Sequence, residues 1–105
     1  HYVTLPGKIA YATLKSVAAA DRDFDGVKTL KKGTVIKMDA DGVITAAGDA
    51  DGNGIVFNTI KLDDYDEGTD PYVNVAVLVH GFVRADRLVG AAKLKANDLI
   101  HVVNK

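Results

Sequence analysis

Two aspartate-rich segments, Asp21-x-Asp23-x-Asp25-Gly26 and Asp49-x-Asp51-x-Asn53-Gly54, have the residue types and spacing that come nearest to chemistry in this 105-residue chain. In each, oxygen-bearing side chains alternate ahead of a glycine. That is the first half of a calcium-binding loop, where alternate oxygens face the ion and glycine makes the sharp turn. The second half is missing from both. The twelfth position of such a loop supplies a bidentate glutamate, and here it is Lys32 in the first segment and Ile60 in the second. A strand, not a helix, is expected after each. Both segments are therefore expected to serve as turns, with Asp49, Asp51 and Asn53 as the weaker, cation-binding alternative. No cofactor is expected.

Other chemistry has few raw materials. Ser16 is the only serine, it lacks a Gly-x-Ser-x-Gly turn to expose it, and there is no cysteine to act as nucleophile or zinc ligand. His80 and His101 both fall in strand-like runs and read as structural or rim histidines. No carboxylate pair is visibly set beside an apolar pocket that would raise one pKa, and no Walker-type phosphate loop is present. An enzyme is not expected. A net charge of −1 gives no basic footprint for nucleic acid, and no apolar run approaches the roughly 18 residues of a membrane-spanning helix. Asp63, Asp64, Asp66, Glu67 and Asp70 crowd one segment, which reads as a solvated loop.

The elements that must position these residues are mostly strands. Val73, Val75, Val77, Val79 and Val83 share one parity, and Asn74, Ala76, Leu78, His80 and Phe82 share the other. This two-residue period, with β-branched side chains stiff at χ1, predicts a central strand with one wholly apolar face and a second face apolar in its middle. Gly81 interrupts it and marks a bulge or bend. Further strands are predicted over residues 34–38, 43–45, 55–60 and 99–103, with Asp39-Ala-Asp-Gly42 as a hairpin loop. Val27 to Lys32 leads through Gly33 into the first of these strands, and Gly90 to Lys95 could form one helical turn. Residues 9–20 are ambiguous. Ile9, Tyr11 and Thr13 alternate as a strand would, whereas Ala18, Ala19 and Ala20 suit a helix; a strand is favoured for the first half. The opening residues 1–8 read as an extended arm, because Pro6 biases Leu5 away from helix and Gly7 allows a turn. Tyr2, Val3 and Leu5 on that arm cover either the chain's own core or a neighbour. The whole is expected to be one all-β domain, a small antiparallel barrel or sandwich with at most one short helix.

Three segments in order, Gly33-Thr-Val-Ile-Lys-Met-Asp-Ala-Asp-Gly-Val-Ile-Thr45, Gly54-Ile-Val-Phe-Asn-Thr-Ile60 and Val75-Ala-Val-Leu-Val-His-Gly-Phe-Val-Arg-Ala-Asp-Arg-Leu88, resemble the pattern of phage head decoration proteins of the lambda type. The chain is also similar to base domains of phage head fibres. The acidic segment from Asp63 to Asp70 is longer than that pattern has. The resemblance implies a non-catalytic virion protein, made in the host cytoplasm, that binds the major capsid protein on the head exterior, often as a homotrimer, and stabilises the shell. Tyr2, Val3 and Leu5 are then the first candidates for capsid contact. The runner-up is a phage or cell-surface binding module whose acidic loops hold a ligand or receptor, with cation dependence as its signature.

Overall fold

The computed structural model describes residues 2–95 and 99–103. In chain order its elements are β1 (Val3–Ala10), α1 (Tyr11–Val17), β2 (Ala19–Asp21), β3 (Val27–Leu30), β4 (Val35–Met38), β5 (Ile44–Ala46), β6 (Gly54–Val56), β7 (Ile60–Lys61), β8 (Tyr72–Arg84) and β9 (Ile100–Val103). Short 3₁₀ turns lie at Arg22–Phe24, Leu62–Asp64, Ala85–Arg87 and Ala91–Lys93. The protein is thus mainly β, in two antiparallel sheets with one short helix, the class its alternation predicts.

The predicted central strand is β8, and its middle is hydrogen-bonded on both flanks, to β1 and to β6. The main sheet has the order β1-β8-β6-β4-β5, and the smaller one has the order β2-β3-β7. Where the main sheet's ends approach, the Lys8 backbone N–H donates to the Gly42 carbonyl at 2.8 Å, and Lys8 bridges Val43 in parallel. The sheet therefore curls into an incompletely closed barrel. Residues Val3 to Gly7 of β1 lie beyond that bridge, so this half of the strand is an open sheet edge among the described residues.

Alternation sorts the apolar side chains into two cores. Val73, Val75 and Val77 pack inward with Ile9, Leu14, Leu30, Ile36, Ile44 and Val56. Leu78, Val35 and Ile55 have the opposite parity and pack outside the curl, beneath Ile100 of β9 with Leu88 and Leu94 beside them. The segment after β8 thus covers the outer face of the sheet. Gly54 makes the inner packing tight, since a Cβ there would collide with Val77.

Gly81 marks a change of partner in β8. The register with β1 jumps between Val3 opposite His80 and Thr4 opposite Leu78, so Val79 is bulged. From Gly81, which has φ 150°, the strand pairs with β9 instead, and that ladder is parallel.

The chain's beginning differs from expectation in three ways. The arm from Val3 onward is a full strand of the main sheet, passing through Pro6 and Gly7 without a turn; His1 lies outside the described residues. Gly7 is needed because a Cβ would crowd Ile44, Met38 and Val77 at about 3 Å. After Ala10 the chain becomes α1, where alternation had predicted a strand. Leu14 is completely buried there, with Tyr11 and Val17 packed beside it at the three-residue spacing of a helix face. Burial decides this helix, since its N-cap Ala10 offers no side-chain hydrogen bond. The alanines that suited a helix are extended, with Ala19 and Ala20 paired to Thr29 and Lys28 of β3. The predicted strand over 55–60 is also divided, with Gly54–Val56 in the main sheet and Ile60–Lys61 in the smaller one.

Candidate protein-docking surface

The aspartate segments are occupied by their own turns. Asp21 Oδ1 accepts from the Asp23 backbone N–H at 2.9 Å, and its Oδ2 lies 3.5 Å from Thr29 Oγ1. Asn53 uses its whole amide on β4, with Oδ1 accepting from Met38 N–H at 2.8 Å and Nδ2 donating to the Met38 carbonyl at 2.8 Å. Asp51 Oδ1 accepts from Gly48 N–H at 2.6 Å, and Oδ2 lies 3.7 Å from Lys37 Nζ. Asp49 sits exposed on the same loop. Among the described residues no three His, Cys, Asp or Glu side chains are gathered where they could share a metal ion.

The candidate nucleophile and bases are scattered. Ser16 Oγ donates to the Thr13 carbonyl at 2.8 Å on the exposed side of α1. His80 is exposed opposite Val3, and His101 stacks on Phe82 with ring centroids 4.9 Å apart and planes at 22°. A cavity of about 630 Å³ opens beside Asp21 and Thr29, whose polar atoms are already committed to the turn.

The contact candidates Tyr2, Val3 and Leu5 lie together at the start of β1, and all three are exposed: Tyr2 by 60%, Leu5 by 46% and Val3 by 39%. Lys8 directs its N–H outward, to Gly42. Pro6, two residues earlier, has the same orientation and no donor, so this edge is poorly suited to accept another strand. What it offers is apolar side chain.

Beside this edge lies a groove of about 360 Å³. Tyr2 and Phe57 meet edge to face across it at 6.3 Å, and Phe82, 62% exposed, forms part of its wall. Its charged lining residues are Lys32, Arg84 and Arg87; no carboxylate lines it among the described residues. Arg84 is partly neutralised by Asp86, at 2.9 Å. Large aromatics exposed together with arginine are the composition of protein-binding surfaces. Sequence reading found Tyr2 but missed Phe57, Phe82 and the cations. Two aromatics inside strand patterns look like core, and the one available signal was that Phe82 falls on the parity opposite the valines.

Compared with protein-family models, curated proteins and solved structures, the chain has no match. No helix among the described residues is long and apolar enough to cross a membrane.

Proposed function

We propose that this protein is a non-enzymatic structural component that docks on a repeating protein lattice, the exterior of an icosahedral phage head, with the major capsid protein as partner. The observation that carries the reading is the exposed apolar stretch of Tyr2, Val3 and Leu5 leading into and along a paired strand, in a chain whose three ordered segments resemble head decoration proteins. The small mainly-β fold accords with it. Side chains fixed on a paired strand lose little further freedom on binding, which favours repeated modest contacts. Because Pro6 interrupts the outward donors, the contact is made by these side chains, not by strand addition.

A protein that binds the expanded lattice better than its precursor shifts that equilibrium by its differential affinity, and many copies together resist internal pressure. The test is to add purified protein to undecorated expanded heads. Stoichiometric binding with a raised disruption temperature is expected. Failure to bind any such head at saturating protein would refute the reading.

A further inference from the structure

Asn53 and Gly54 form the chain's only asparagine–glycine pair, and the fold imposes each of them separately. Gly54 opens β6, which lies between β8 and β4, and a Cβ there would collide with Val77. Asn53 gives Met38 both a donor and an acceptor, which an ionised carboxylate cannot do. Asparagine is chemically labile, most of all before glycine, because a residue without a side chain lets its own nitrogen approach the asparagine Cγ.

The fold opposes that approach. Ring closure requires the carboxamide carbon to turn onto the Gly54 nitrogen. Both ends of the carboxamide are bound to Met38 at 2.8 Å, and the Asn53 N–H donates to the Ile36 carbonyl at 3.0 Å. Ile36 is in turn the register partner of Gly54. Turning the amide therefore breaks both Met38 bonds and strains the pairing of β4 with β6.

We propose that Asn53-Gly54 is a self-modification site held closed by that pairing: Asn53 deamidates when β4 and β6 separate and keeps its amide while they stay together. In the reaction the Gly54 nitrogen attacks Asn53 Cγ and gives up its proton, the Cγ–Nδ2 bond breaks, and the amide nitrogen leaves with that proton as ammonia. Water then opens the five-membered imide at either carbonyl, giving aspartate or its β-linked isomer. One water is consumed and one ammonia released, with no oxidation or reduction. Neither product restores the Nδ2 donor to Met38, and the β-linked form adds a carbon to the main chain just ahead of Gly54. Reclosure is impaired, so the site keeps a covalent record of each opening. This inference is independent of the capsid reading, since the reaction takes place within one chain.

The experiment incubates the full chain at mildly alkaline pH, native or unfolded in guanidinium chloride, and follows conversion at Asn53 by peptide mass mapping. Asn58 and Asn74, which precede Thr59 and Val75, report the background in the same samples. A Val35→Ala variant weakens the ladder at the Val35–Ile55 pair while leaving Asn53, Gly54 and Met38 in place, and circular dichroism melts check that it is folded. In the unfolded chain Asn53 should convert well ahead of Asn58 and Asn74. In the native protein it should convert roughly tenfold or more slowly than in the unfolded chain. Folded Val35→Ala should convert roughly fivefold or more faster than native wild type, and converted protein, separated by ion exchange, should melt at a lower temperature. Equal rates in the native and unfolded chains, a folded Val35→Ala no faster than wild type, or converted protein as stable as the original would each overturn the proposal.

Discussion

Val77 and Leu78 are adjacent in β8 and both buried, at 0% and 3% exposure, yet they belong to different cores on opposite faces of one sheet. The outer core exists because β9 and the segment before it lie across Leu78, Ile55 and Val35. Ile100 is the side chain by which β9 closes it. Ile100→Ala should cost about 2–4 kcal/mol, the range for deleting a buried branched side chain. Urea denaturation measures it; a loss below about 0.5 kcal/mol would mean that β9 does not cover the sheet.

Two glycines with similar backbone angles should differ in their tolerance of alanine. Gly26 and Gly33 have φ of 81° and 93°, but a Cβ at Gly26 meets nothing within 4 Å, whereas at Gly33 it collides with the Arg87 carbonyl. Gly26→Ala should cost about 1 kcal/mol of backbone strain. Gly33→Ala should cost roughly 3 kcal/mol or more, because a packed backbone must also move. Equal losses in thermal melts would refute the packing of residue 87 on this turn.

Asn53→Asp separates the two roles of the second aspartate segment. As a cation ligand the new carboxylate would be an improvement. As a partner of Met38 it is a loss, since it replaces the Nδ2 donor with an oxygen facing a carbonyl. A destabilisation of about 1 kcal/mol is expected, unaltered by millimolar calcium. A melting temperature that calcium restores would instead favour the cation role.

Leu5→Asp tests the apolar edge apart from the fold. Leu5 is half exposed, so the substitution should change stability by less than about 0.5 kcal/mol while weakening binding to undecorated heads roughly tenfold or more. Unchanged head binding would remove Leu5 from the contact.

The valine parity of residues 73–77 was legible because burial of a strand face imposes a two-residue period whatever lies opposite. The hairpin at Asp39–Gly42 was legible for a local reason: Asp39 Oδ1 accepts from both Asp41 and Val43 N–H at 2.9 Å. α1 was not. Ile9, Tyr11 and Thr13 alternate, and only the tertiary burial of Leu14 chooses helix, with Pro71 supplying the carbonyl that receives Tyr11 N–H at 2.9 Å. The parallel ladder of β9 depends on a crossover that no local pattern encodes. The docking edge was half legible: its residues were named, but whether they lay free or in a sheet depended on a partner some seventy residues away, β8. The groove unites residues from 2 to 88, so its aromatics could not be told from core in the sequence.

The position of β8 between β1 and β6 sets the order in which backbone amides surrender to deuterium. The middle of the strand, from Ala76 to Leu78, is flanked on both sides and roofed on both faces, so its protons should persist until the whole molecule opens. α1, which begins without a capping side chain, should trade its protons long before.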